Sequence, residues 1–129
     1  FNLHKGITLS YAPFIYNTCL SLFNKLDNEF GISTAINHED KNYMQWDYPH
    51  MWPSNAYFAY LALKNVGLEI EAKKIKDQYM NVVKNNYNET GKLWEKYNTV
   101  TGSVSKTVEY ETPSMMGWTA GVFEYFYNN

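Results

Sequence analysis

Three acidic residues in aromatic-rich segments are the chain's best candidates for chemistry: Asp47, Glu95 and Glu109. Glu95 lies between Trp94 and Tyr97, and Asp47 directly follows Trp46. Two carboxyl groups on either side of a scissile bond are what glycoside hydrolysis requires, and an inverting enzyme holds them roughly 6.5–9.5 Å apart. We therefore consider carbohydrate chemistry first.

The residues around these acids are suited to holding a sugar. Trp46, Trp52 and Trp94 present flat faces on which a sugar ring can stack, while Gln45 and His50 can hydrogen-bond to hydroxyl groups, as can the Asp47 carboxylate.

Each assignment has a structural alternative that the sequence leaves open. Asp47 can shape its loop or orient Gln45, or act as a second carboxylate beside Glu95. Glu95 can form a surface ion pair with a nearby lysine, and Glu109 can be a solvated loop acid. The tryptophans before the second helix can serve as core packing.

Composition excludes several classes of function. The 129 residues include 11 basic and 13 acidic ones without a basic run, so neither nucleic acid nor an anionic membrane surface is indicated. The histidines His4, His38 and His50 lack the spacing of metal ligands, and no metal or organic cofactor is implied. Aromatic residues make up 18% of the chain, which suits both a core and a sugar site.

Hydrophobic periodicity predicts four helices, over residues 13–27, 53–67, 69–86 and 114–127. The first and third are amphipathic; the third has an apolar stripe of Ala72, Ile75, Tyr79 and Val82, and Glu69 can pair with Lys73. The second and fourth are apolar on nearly every side and are expected to be buried all round.

The alternation of amphipathic and buried helices is what an outer and an inner ring of helices produce. Two long connections, residues 31–52 and 89–113, each lead into a buried helix, and loops of this length are usually functional. Both loops should emerge at the same rim, so we expect Glu95 to share a concavity with Trp46 or Trp52.

Five segments resemble the trehalases, glycoside hydrolase family 37. The first loop matches the family's QWDxPxxWxP signature, and its matching residues are Gln45, Trp46, Asp47, Pro49, Trp52 and Pro53. Residues 31–34 resemble a GIPT stretch, and residues 95–98 resemble an EKYD segment in which Asn98 replaces Asp. Glu109-Tyr110 and residues 117–122 are similar to the family's EY and GWTNGV elements, with Ala120 in place of Asn.

The resemblance implies an all-α fold, part of an (α/α)6 toroid, with residues 1–129 forming a C-terminal fragment of one catalytic domain. It implies an inverting hydrolase that splits trehalose into two glucose molecules, with Glu95 as catalytic base and Glu109 as substrate ligand. The family's general acid, an Asp far upstream of the signature, has no counterpart here. We therefore expect the chain to need the rest of its domain and to be inactive alone.

A departure from the family's lid and the missing general acid keep two other functions open. Where trehalases carry a glycine-rich lid, residues 101–108 contain a single glycine, Gly102. The alternatives are a related toroidal glycosidase acting on other α-glucosides or α-mannosides, and a carbohydrate-binding remnant without catalysis.

Overall fold

A computed structural model describes residues 5–38, 44–114 and 116–129. Met115 of the fourth predicted helix and His4 lie outside these residues. The described part is mostly helical, with helices α1 Lys5–Leu26, α2 Pro53–Asn65, α3 Glu69–Thr90 and α4 Gly117–Asn128. Its strands have two residues each: β1 Asp27–Asn28, β2 Gly31–Ile32, β3 His50–Met51 and β4 Tyr97–Asn98. The prediction of an all-α chain with four helices is confirmed at this level.

Helix α1 begins earlier than predicted, so that Pro13 lies inside it rather than in its first turn. A proline removes one backbone hydrogen bond, yet helical residues can continue on both sides of it. The end of the helix, at Leu26, is one residue from the predicted position.

Helix α2 begins at Pro53 as predicted, because a proline needs no hydrogen-bond acceptor in the first helical turn. Its residues Ala56, Tyr60 and Leu63 are buried where α2 packs against α3, α4 and α1. The expectation of burial on every side is wrong for the described chain, since Phe58 is 66% exposed. The helices that contact α2 cover one part of its surface and leave the rest open.

Helix α3 confirms its predicted stripe: Ala72, Ile75, Tyr79 and Val82 are all buried. The helix runs four residues beyond the predicted end and stops at Thr90, where Gly91 adopts the left-handed conformation that closes helices. Lys73 pairs with Asp77 one turn later rather than with Glu69.

Helix α4 begins at Gly117, because Ser114 instead forms an isolated β-bridge with Trp94. Phe126 is fully buried, and its ring packs edge-on against Tyr60 at 4.9 Å and Tyr79 at 5.5 Å between centroids. The core therefore lies where α2, α3 and α4 meet. The expected burial of α4 all round is wrong, since Trp118 and Tyr127 are exposed.

The two long connections are joined by short antiparallel ladders. Strand β3 of the first loop pairs with β4 of the second, in the register His50–Asn98 and Met51–Tyr97. Strands β1 and β2 form a separate two-stranded sheet at the end of α1. Among the helices that the structure describes, none combines the length and apolarity needed to cross a bilayer.

Candidate functional site

The β3–β4 ladder places the two loops side by side. Next to it, the Thr99 backbone N–H and hydroxyl both donate to the Pro49 carbonyl, at 2.9 and 3.0 Å. Because β3 ends just before Trp52 and β4 begins two residues after Glu95, the ladder also brings these two residues into one neighbourhood. The two loops are therefore in direct contact at this ladder.

Glu95 is buried, with 9% of its surface exposed. The chain bends at this residue, and its backbone N–H donates to the Pro113 carbonyl at 3.1 Å. Its Oε2 accepts two hydrogen bonds, from Lys96 Nζ and from the Tyr110 hydroxyl, each at 2.6 Å. Within the described part of the chain, Oε1 accepts none.

Lys96 is wholly buried, which is unusual for a lysine unless it is paired. Its ammonium also donates to the Tyr110 hydroxyl at 2.9 Å. It lies 4.2 Å from the centroid of the Tyr110 ring and 5.0 Å from that of Trp52. The carboxylate and the two aromatic faces together offset the cost of burying this charge.

Gln45 connects Glu109 to the same group of residues. Its backbone N–H donates to Glu109 Oε2 at 2.5 Å, and its side-chain Oε1 lies 3.2 Å from the Tyr110 hydroxyl oxygen. The Gln45 carbonyl accepts from the Trp52 indole N–H at 2.7 Å. Glu95 and Glu109 are therefore linked through two intermediate residues, although 14 positions separate them in the chain.

Burial raises the pKa of the Tyr110 hydroxyl, and its hydrogen bond to Glu95 raises it further. The negative charges of Glu95 and Glu109 act in the same direction. Tyr110 therefore remains a neutral phenol, able to donate, throughout the pH range in which carboxylates ionise.

The hydrogen-bonded residues Glu95, Lys96, Tyr110, Gln45 and Glu109 form what we call the Glu95 network. Two of the predicted tryptophans form a stack beside it. The rings of Trp46 and Trp52 lie 4.0 Å apart with an angle of 11° between their planes. Trp52 is almost completely buried, and Trp118 of α4 packs edge-on against it at 5.4 Å. Trp46 is 51% exposed, so it presents a face to solvent.

Trp94 is held by the helices rather than by this stack. Its indole N–H donates to the Thr90 hydroxyl at 3.0 Å, and its carbonyl accepts from the Thr119 hydroxyl at 2.7 Å. It lines a cleft of about 600 Å³ together with Tyr110 and Thr112. The cleft adjoins the Glu95 network because Tyr110 belongs to both.

Asp47 shapes its loop. Its Oδ1 accepts hydrogen bonds from the Tyr48 backbone N–H at 2.8 Å and lies 2.6 Å from His38 Nε2. The hydrogen bond from His38 is the largest cause holding the pKa of Asp47 below its ordinary value, against an opposing effect of burial.

His50, in strand β3 of the signature loop, is buried. Its Nδ1 lies 2.5 Å from the Ser105 hydroxyl, and its carbonyl accepts from both the backbone N–H and the hydroxyl of Thr34, at 2.9 and 2.6 Å. His50 thus connects three loop segments. The structure brings together five of the predicted site residues: Gln45, Trp46, Trp52, Glu95 and Glu109. The other three, Asp47, His50 and Trp94, make their side-chain hydrogen bonds with residues outside this group.

Two residues of the network, Lys96 and Tyr110, are not among the site residues predicted from the sequence. The available signal was a lysine next to an acid within an aromatic segment, but sequence could not distinguish a buried pair from a surface pair. Within the described ranges, no cluster of three or more His, Cys, Asp or Glu side chains is arranged to hold a metal ion.

The structure explains why Asn98 can stand where the resemblance expects Asp. Asn98 Oδ1 accepts hydrogen bonds from the backbone N–H groups of Val100 and Thr101, at 2.9 and 3.0 Å. Both bonds need only an acceptor oxygen, which Asp and Asn supply equally. The residue shapes the turn after β4.

The fold and the site define a mostly helical protein whose long loops carry a buried carboxylate beside exposed aromatic and acidic groups. A family model for trehalase matches residues 19–129. A trehalase of Apis mellifera is 35% identical over 101 residues, which are 71% of this chain and 15% of that protein. A periplasmic trehalase of Escherichia coli is 35% identical over 83 residues, 64% of this chain and 15% of that protein.

The chain belongs to the trehalase family, a family of glycosidases in carbohydrate metabolism. It spans about 15% of the length of the relatives that it matches. The resemblance seen in the five sequence segments is thereby confirmed.

Proposed function

We propose that this chain is part of an inverting α,α-trehalase that hydrolyses trehalose to two glucose molecules, with Glu95 as the general base. The observation that carries the proposal is the state of the Glu95 carboxylate, which is buried and held at Oε2, while no residue that the structure describes donates to Oε1. Membership of the trehalase family and relatives named trehalase support the choice of substrate.

The reaction is an attack by water on one anomeric carbon. Glu95 Oε1 takes a proton from the water as the water oxygen bonds to that carbon and the bond to the bridging oxygen breaks. A general acid donates a proton to the bridging oxygen, which leaves as the hydroxyl of the second glucose. In this proposal the acid belongs to a part of the catalytic domain outside residues 1–129.

Some of the other site residues would bind the sugars, and the rest would hold the site in shape. Trp46, which exposes about half of its surface, would stack on a sugar ring, with Trp52 supporting it from behind. Glu109 and Gln45, both at the surface of the network, would hydrogen-bond to hydroxyl groups. Trp94 would wall the adjoining cleft, whereas Asp47 and His50 would hold the signature loop in shape.

We further propose that residues 1–129 are one segment of a single (α/α)6 toroid. The apolar side chains left open on α2 and α4, such as Phe58 and Tyr127, support this, because further helices of a ring would cover them. In that arrangement α2 and α4 are inner helices, and the two long loops lie at the rim that carries the active site.

The test is Glu95→Gln in the complete catalytic domain, assayed on trehalose by glucose release. A general base contributes roughly 10²–10⁴-fold, so turnover should fall at least about a hundredfold while KM changes modestly. The matched control is Glu69→Gln, which changes an exposed acid in the first turn of α3, outside the two proposed inner helices, and should leave turnover unchanged. Turnover of Glu95→Gln within tenfold of wild type would exclude Glu95 as the base.

The stereochemistry of the first products tests the inverting mechanism independently. Attack with inversion converts trehalose into one α-glucose and one β-glucose, which proton NMR resolves before mutarotation mixes them. Two equivalents of α-glucose would instead show retention and a nucleophilic role for a carboxylate.

A further inference from the structure

We propose that Lys96, together with Tyr110, is a positioning residue that fixes the Glu95 carboxylate with Oε1 directed to the reacting water. The inference rests on the proposed function of Glu95 as base. In this role both side chains act through the carboxylate and not directly on the reacting atoms.

The geometry of the three groups leaves the carboxylate little rotational freedom. Lys96 Nζ and the Tyr110 hydroxyl both donate to Glu95 Oε2 at 2.6 Å, and Lys96 also donates to that hydroxyl at 2.9 Å. The three groups thus form a closed triangle of hydrogen bonds around one oxygen. Because both donors are used on Oε2, proton abstraction is left to Oε1.

Burial makes this triangle strong. Lys96 is wholly buried, and charge-assisted hydrogen bonds away from water are stronger than neutral ones. The faces of Tyr110 and Trp52, 4.2 and 5.0 Å from the ammonium, keep it from turning towards another partner.

The backbone places the two adjacent side chains on the same side, as a regular strand cannot. The chain bends at Glu95, whose N–H is held by Pro113, while the Lys96 carbonyl accepts from the Ser105 N–H at 3.1 Å. The segment containing Tyr110 lies between these two attachment points, so the same loop that anchors the backbone delivers the hydroxyl.

The test is a double-mutant cycle on the complete catalytic domain, using Lys96→Met and Glu95→Gln. Misplacing a catalytic group by about 1 Å can cost roughly a hundredfold, so Lys96→Met alone should lower kcat about ten- to a hundredfold, with KM within about threefold. In the Glu95→Gln background the same change should lower kcat less than about threefold, because there is no base left to position.

Two further variants keep the result interpretable. Tyr110→Phe retains the ring and removes only the hydroxyl, so kcat should fall about three- to tenfold even if Lys96→Met folds poorly. Lys73→Met breaks an exposed ion pair on α3 and should change neither kcat nor KM. Thermal melting of each variant checks that the domain remains folded.

The outcomes separate the inference from the function on which it rests. Equal losses from Lys96→Met in both backgrounds, or unchanged kcat in Lys96→Met and Tyr110→Phe, would overturn positioning while leaving Glu95 as base. A loss confined to KM would make Lys96 a substrate ligand and also overturn it. Retained turnover in Glu95→Gln would remove the base itself, and the positioning role with it.

Discussion

The Trp46 indole lies flat against the Trp52 indole, 4.0 Å away and 11° from parallel, at the start of α2. One partner is buried in the protein and the other faces solvent. Trp52 therefore supports the fold, whereas Trp46 offers a face that a ligand can contact.

The two tryptophans should respond differently to truncation. Trp52→Ala leaves a cavity and breaks the hydrogen bond to Gln45, and should destabilise the domain by about 3–5 kcal/mol. Trp46→Ala should cost less than about 1 kcal/mol but raise KM for trehalose about three- to tenfold, because a stacking face is lost. Thermal melts and initial rates measure both effects. An unchanged KM in Trp46→Ala would show that this face does not hold the sugar.

Gly102 sits in the turn after β4 with a positive φ of 68°, and a Cβ there would lie 2.7 Å from a ring carbon of Phe30. Gly102→Ala should therefore destabilise the domain by at least about 2 kcal/mol, since left-handed strain of ~1–2 kcal/mol adds to overpacking of ~1–3 kcal/mol. Gly91 has the same φ with open space around it, so Gly91→Ala should cost only the strain. Equal losses in urea unfolding would contradict the role of the Phe30 contact.

Asp47 gives a prediction about pH. Its pKa in the folded protein is lowered chiefly by the hydrogen bond from His38. A lowered pKa contributes stability that is present above the ordinary value of 3.8 and is lost as pH falls through the folded value. Asp47→Asn should therefore be less stable than wild type near neutral pH. The free energies of unfolding of the two proteins should converge once the pH lies below the pKa of Asp47 in the folded protein.

Urea unfolding at stepped pH measures the gap between wild type and Asp47→Asn. His38→Gln removes the largest cause and should reproduce part of the gap near neutral pH. A gap that stays constant from neutral pH to well below 3.8 would show that ionisation of Asp47 does not stabilise the loop.

Residues 1–129 produced alone should neither fold cooperatively nor hydrolyse trehalose. Phe14, Phe58 and Tyr127 are 70%, 66% and 71% exposed, and exposed apolar groups promote association. Sedimentation, thermal melting and a glucose assay test this, with the complete domain as control. A monomer with a sharp melt would overturn the fragment interpretation. Measurable hydrolysis would place the proton donor within the chain, and Asp47 would be the first residue to mutate.

Features that depend on neighbours in sequence could be predicted from the sequence alone. The buried stripe of α3 follows from its 3.6-residue period, and the start of α2 follows from Pro53. The signature around Trp46 and the acid at Glu95 identified the family because residue types at fixed offsets survive as a pattern in one dimension.

Features that depend on distant parts of the chain were decided by the tertiary structure. Burial of α2 and α4 could not be read from their apolar faces, because a face is buried only where another element covers it. The link from Gln45 to Glu109 spans 64 positions, and that from Tyr110 to Glu95 spans 15. Whether Glu95 pairs with Lys96 at the surface or in the interior depended on a bend and a covering loop, and those arise only when the two long connections are brought together by the β3–β4 ladder.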